Sequence, residues 1–278
     1  MSSRVDEDMP EPGTRQPLWQ TYKYRRYPAI LDLVSATRRR RHHCPHRNTH
    51  PSSVLNSHLV YQHPSFKMAS VRRLVDPSDE DVEAIVQILL DAFKDDVGMA
   101  SISGNSARTH ADVHRRTIRA CIAHGEVYVG LVNERIQGVI ASIAPGEDWH
   151  FYQQEDFLRS LSPYLSEWYS YHYIPTYEEL YRSAFRSGER ARRDAWHIKV
   201  LAVHPDAQRR GLGRLLLGSV SKQADASGKR IVTDVKSPYH VQWFRKSGFS
   251  HRGVKNFTSK DSTGFPLWCM AREPGPSV

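Results

Sequence analysis

Gln208-Arg209-Arg210-Gly211-Leu212-Gly213 is the stretch on which the fold turns. Ahead of it runs Trp196-His197-Ile198-Lys199-Val200-Leu201-Ala202-Val203, an apolar, strand-like segment ended by His204-Pro205. Behind it Leu212, Leu215, Leu216, Val220 and Ala224 recur at helical spacing. That spacing predicts a helix opening at Gly211, with those five residues buried, and stopping at Gly228. A strand–loop–helix junction leaves amide N–H groups unpaired at the mouth of the helix, where the dipole is positive. Glycines let that backbone approach a phosphate closely. Arg209, Arg210 and Arg214 add cationic charge for a diphosphate. Two other glycine motifs fail here. A dinucleotide fingerprint needs a third glycine where Leu216 stands. A P-loop needs Gly-Lys-Ser/Thr, which does not follow. An ordinary glycine turn is the bland alternative.

Further toward the C-terminus, Ile231–Val235 reads as a strand and Pro238 suits a first helical turn. That helix runs to Ser247 and ends at Gly248, and strands follow at Phe249–Phe257 and Gly264–Met270. Toward the N-terminus, residues 145–193 read as a helical insertion rich in tyrosine and tryptophan, either packing on the sheet or walling a pocket. Val127–Val132 and Gln137–Ala144 make a hairpin about Asn133-Glu134-Arg135. A helix over about Thr109–His124 stops at Gly125, and a loop spans Gly98 to Gly104. Ser78 caps a helix whose stripe is Val82, Ile85, Val86, Leu89, Leu90 and Phe93. Ser70–Val75 is the first strand. The order β, two helices, hairpin, insertion, β-α-β-α-β-β predicts an α/β fold with one mixed central sheet flanked by helices.

Order is expected to start at Met68, a candidate initiator, so the domain covers 68–272 and residues 273–278 form a tail. Residues 1–67 lack apolar periodicity and read as a disordered basic extension. Within it, His42-His43-Cys44-Pro45-His46 has no second cluster at zinc-finger spacing, so a polar tail is favoured over a metal site and no metal is expected. Arg38–Arg41 reads as a solvated basic run, with nuclear import as the alternative. The net charge of +9 fits an anionic cofactor or nucleic acid, but no regular interleaving with aromatics supports base stacking, so nucleic acid is disfavoured. No apolar run would span a bilayer, and no membrane partner is expected. Three scattered cysteines, Cys44, Cys121 and Cys269, fit a reducing compartment. The cytoplasm is the expected location, with the nucleus as the alternative.

Val203-His204-Pro205 followed by Gln208–Gly213 resembles the acyl-CoA signature of the GNAT superfamily of N-acyltransferases, Gln/Arg-x-x-Gly-x-Gly/Ala after a Val-x-Pro strand end. Ser237-Pro238-Tyr239-His240-Val241-Gln242-Trp243-Phe244-Arg245-Lys246-Ser247-Gly248-Phe249 resembles the family's Asn-Pro…Leu-Tyr-x-x-x-Gly-Phe segment. The likeness is strong over 195–250, weaker over 70–144, and absent from 1–67 and the insertion.

The resemblance implies acetyl-CoA as cosubstrate, without a metal. Two parallel strands would splay around the pantetheine arm, with Leu201, Ala202 and Val203 beside it and the Leu201 N–H polarising the thioester carbonyl. The amides from Arg209 to Arg214, with Gln208 ahead of them, would hold the pyrophosphate. Ser237 and Phe244 stand at cofactor-contacting positions, but Ser237 replaces the usual Asn. Phe244 replaces the usual Tyr, which is the family's general acid. Tyr239 is then the candidate acid. A thiol of pKa about 8.5 also leaves tolerably as thiolate. His197 stands where many members keep a catalytic Glu, and an imidazole of pKa about 6.5 would serve as base for an amine of pKa about 10.4. A small-molecule amine is the favoured acceptor. A protein amine, or a degenerate acyl-CoA-binding module, is the alternative.

Overall fold

The computed structural model describes residues 69–259 and 263–275. The tail from 276, the His42–His46 cluster, the Arg38–Arg41 run and the Met68 boundary lie outside the described residues. Among the described residues seven strands form one sheet: β1 (Ala69–Arg73), β2 (Gly125–Val132), β3 (Arg135–Ile143), β4 (Trp196–Val203), β5 (Ile231–Val235), β6 (Ser250–Phe257) and β7 (Phe265–Arg272). Their order is β1-β2-β3-β4-β5-β7-β6. β4 and β5 run parallel, and every other neighbouring pair is antiparallel. The mixed sheet expected from the sequence is therefore present.

Among the described residues three helices precede the hairpin: α1 (Asp79–Ala92), α2 (Val97–Ser103) and α3 (Ala107–His124). Ser78 and Asp81 close a capping box at the start of α1, whose buried face is Val82, Ile85, Val86, Ile88 and Leu89. The segment expected to be a loop between Gly98 and Gly104 is instead α2, with the Asp96 carboxylate accepting from the Met99 amide at 2.7 Å. A seven-residue helix is too short to display a period, so its signal was the cap alone. Gly125 does end α3, but its backbone is extended and not left-handed. It is glycine because a Cβ there would collide with the Ser142 carbonyl oxygen of β3.

The insertion holds α4 (Glu155–Ser160), α5 (Pro163–Trp168), α6 (Ile174–Ala184) and α7 (Arg190–Arg193). A π-helical turn, Tyr169–Tyr173, joins α5 to α6. Pro175 lies just beyond it, and a proline that cannot donate its amide forces such a local widening. Phe157, Trp168, Tyr169, Tyr173, Tyr177 and Tyr181 are buried in one cluster with Phe257, Phe265 and Leu267, so most of the aromatic set packs on the sheet. On the opposite face lies α8 (Leu212–Ala226). Leu212, Leu216, Val220 and Ala224 are buried as expected, but Leu215 is 48% exposed and Leu217 takes its place. Residue 217 falls closer to the core-facing stripe than its neighbour does. The last helix among the described residues is α9 (Pro238–Arg245).

One register detail positions the site. β4 is paired with β3 from His197 to Val203, but with β5 only at Trp196–Ile231, His197–Val232 and Ile198–Thr233. Beyond those pairs the two parallel strands separate, and β5 continues to Val235 paired to β7 alone. At the same level β4 carries a bulge opposite Ala141 and Ser142, which leaves Lys199 without a register partner.

Candidate functional site

The loop from β4 to α8 begins with a single 3-10 turn, Pro205–Ala207. The Gln208 carboxamide then donates to the Val203 carbonyl at 3.0 Å, tying the loop to the end of β4. Arg209 and Gly211 both take positive φ, 64° and 88°. Glycine is the residue for such a conformation. A Cβ at Gly211 would meet nothing within 4 Å, so that side of the loop faces open space. The Arg214 and Leu215 amides donate to the Gly211 carbonyl at 3.0 and 3.2 Å. Among the described residues, no acceptor faces the amides of Arg209, Arg210, Gly211, Leu212 and Gly213. These are the free donors that an anion at a helix N-terminus requires.

The His204 amide donates to Gln137 on the β3 side at 2.8 Å. Backbone direction alternates along a strand, so the polar groups of Leu201 and Val203 point the other way, into the gap beside β5. Ala202 points its own toward β3 and is buried. Gly213 lies against Trp243 and Val203. Tyr239 stands at the loop: its hydroxyl accepts from Arg209 Nη1 at 2.6 Å, and it is 57% exposed. The sequence offered it as an acid beside the thioester, but it does not line the cavity described below. Ser237 caps α9, its hydroxyl accepting from the His240 amide at 3.2 Å. Phe244 is turned into the core between Trp243 and Phe249, each ring centroid 4.9 Å away. Its side chain therefore contacts packing residues, because its position on α9 faces the sheet.

The strand gap opens on a cavity of about 110 Å³ between the sheet, α2, α3 and the insertion. His150, Tyr152, Tyr177, His197, Lys199 and Asp234 are among its walls. Tyr177 and Tyr181 donate to the two Asp234 oxygens at 2.6 and 2.9 Å. His197 Nε2 lies 3.5 Å from Asp234 Oδ2. Burial works to raise Asp234, but hydrogen bonds from His197, Tyr177 and Tyr181 outweigh it and hold the carboxyl below its ordinary range. His197 is buried, and burial, with the Lys199 charge next, pushes it down to about 4. The imidazole is thus far less basic than its unperturbed value suggested from sequence. Burial likewise pulls Lys199 down to about 8, against the attraction of Asp234. Arg192 is buried too, its guanidinium 5.0 Å from the Tyr177 ring centroid and 4.8 Å from that of Tyr181. Lys199, Asp234, His150 and Arg192 were not singled out from the sequence. The signal available was a charge within otherwise apolar strands, at Lys199 in β4 and Asp234 in β5.

Among the described residues no group of three or more His, Cys, Asp or Glu side chains stands close enough to share a metal ion. Nor is any described helix long and apolar enough to cross a membrane.

Residues 169–267 match the family model described as the acetyltransferase (GNAT) domain. The matched stretch is less than half of the chain, and over it the sequence is similar to the GNAT acetyltransferases. The match reaches back to Tyr169, inside the insertion that the sequence motifs did not cover. A 56-residue stretch is 45% identical to the tRNA(Met) cytidine acetyltransferase TmcA of Aeropyrum pernix, covering 20% of this chain. The chain spans only 8% of the length of that relative. Among solved structures, the polyamine N-acetyltransferase of Drosophila melanogaster, which forms N-acetylagmatine, is 15% identical over 74% of this chain and 100% of its own, with a TM-score of 0.52. An agmatine N-acetyltransferase is 14% identical over 74% of this chain and 99% of its own, with a TM-score of 0.51. At these identities the two structures establish likeness of fold.

Proposed function

We propose that this chain transfers an acetyl group from acetyl-CoA to the amine of a small molecule. The observation that carries the reading is the parting of β4 from β5 beside five unpaired loop amides, with the gap opening on a cavity. The residues present fit the carrier. The amides of Arg209–Gly213 receive the pyrophosphate, with Arg209, Arg210 and Arg214 adding charge. The backbone of Leu201 and Val203 pairs with the pantetheine amides as a neighbouring strand would, and the Leu201 N–H polarises the thioester carbonyl. Gln208 and Ser237 hold the loop and α9 in place around it. When bound, the carrier supplies an activated acetyl group whose thiolate leaves readily. His197 and Tyr177, both facing Asp234, line the acceptor side, where a volume of about 110 Å³ suits a small amine head rather than a folded peptide segment.

The test is thiol release from acetyl-CoA by the full chain against a panel of small amines, agmatine included, and lysine-containing peptides. Small-amine turnover at least tenfold above any peptide is expected. Turnover with peptides alone, or with no amine, contradicts the reading. A Gly211→Val variant is expected to stay folded yet bind acetyl-CoA at least tenfold more weakly by calorimetry. A β-branched side chain disfavours the left-handed backbone there, and its methyls occupy the open face of the loop. Unchanged affinity would move the phosphate site elsewhere.

A further inference from the structure

We infer that Lys199 is the general base that deprotonates the acceptor amine, and that His150 and Asp148 carry the proton on to solvent. The inference rests on the acetyl-transfer reading and adds the base it lacks. Lys199 sits at the β4 bulge, one residue beyond the last β4–β5 pair, and lines the cavity. Its Nζ is 3.0 Å from His150 Nδ1. His150 is itself buried, stacked on Tyr152 at 4.8 Å between ring centroids. Its second nitrogen, Nε2, lies 3.2 Å from Asp148 Oδ1, close but off the line of a good hydrogen bond. The Asp148 side chain is 39% exposed. One hydrogen bond, and one 3.2 Å approach that a small rotation of His150 or Asp148 would align, therefore separate Lys199 from the partly exposed Asp148 carboxylate.

The rival base is His197. It faces Asp234, and burial leaves it neutral down to about pH 4. A group that weak barely competes for the proton of an alkylammonium. Lys199 comes closer, since burial brings it to about 8. The charged and titratable groups around it are His150, His197, Arg192, Asp148, Asp234 and the Cys121 thiol, with Lys236 on the far wall. His150, held well below its ordinary value first by burial and then by Lys199, passes a proton on and does not retain it.

The step balances. The acceptor ammonium gives one proton to neutral Lys199 Nζ. The freed nitrogen pair forms a C–N bond to the thioester carbonyl, the C–S bond breaks with its pair on sulfur, and the second nitrogen proton goes to that sulfur. The products are the amide, free thiol and a Lys199 ammonium. That ammonium donates to His150 Nδ1, and His150 releases its Nε2 proton toward Asp148 and water.

The test compares kcat/KM against pH for the wild-type chain, Lys199→Met and His150→Gln, using the best small amine of the panel. Lys199→Met is expected to lose about 100-fold at pH 7, with the deficit shrinking toward pH 10 as more amine arrives unprotonated. His150→Gln, which offers Nζ a hydrogen bond but no relay, is expected to lose about tenfold. A deficit independent of pH, or none, overturns the assignment. Calorimetry with acetyl-CoA separates the two readings. If wild type binds and turns over while Lys199→Met matches it, only the base assignment fails. If wild type does not bind the carrier, acetyl transfer itself fails. A second measurement needs no acceptor: an NMR titration of the lysine ε-carbons in the full chain. One signal missing from Lys199→Met is expected to titrate near pH 8. Titration of that signal with the surface lysines above pH 10 overturns the inference.

Discussion

Replacing Asp234 by alanine is expected to destabilise the chain by about 3–5 kcal/mol, the usual consequence of removing one partner from a buried charged network. Its two oxygens are the acceptors for Tyr177 and Tyr181, and one of them also faces His197. Without the carboxylate, two buried phenols lose their partners, each costing about 1–3 kcal/mol. Lys199, when protonated, also loses the negative charge that offsets its burial. Asp234→Asn keeps the shape and one acceptor oxygen, so its loss should be smaller. Urea unfolding monitored by fluorescence measures both, provided the slope with denaturant stays constant. A loss below about 1 kcal/mol for the alanine variant would show that the network is not a stabilising unit.

Acid should weaken the fold through His197. Its folded value of about 4 lies below the ordinary 6.5, so the unfolded chain binds more protons between those limits. Stability therefore falls as pH drops from 6.5 toward 4, and the stabilisation present above 6.5 is lost below 4. The shift corresponds to roughly 3 kcal/mol at about 1.4 kcal/mol per pKa unit. His114 and His150, also depressed chiefly by burial, act in the same sense. His197→Gln is thus expected to flatten the pH dependence by its own share and not abolish it. Equilibrium unfolding at pH 7, 5.5 and 4 measures the slope. An unchanged slope in the variant would mean that His197 is charged in the folded chain.

The sequence carried the scaffold clearly because local chemistry dictates it. Glycines and arginines after an apolar strand specify the loop, and Leu212, Leu216, Val220 and Ala224 specify the helix behind it. The Ser78 cap and the hairpin about Asn133-Glu134 are equally local. The acceptor side was not legible because it depends on register and convergence. His150, Tyr177, Lys199 and Asp234 are far apart in the chain and meet only once β4 and β5 are paired and the π turn aims α6 at the sheet. Burial, which no local pattern reports, then changes the character of His197 and Lys199. Tyr239 and Phe244 were placed by position in a motif. Helix phase puts one on Arg209 and the other in the core.

The most direct test is an amide NMR titration of the full chain with acetyl-CoA. The amides of Arg209 to Gly213 should show the largest shifts, followed by Leu201 and Val203, as a diphosphate settles on unpaired N–H groups and pantetheine pairs with the free edge of β4. Saturating acetyl-CoA that leaves those amides unmoved, or shifts residues elsewhere instead, would contradict the account.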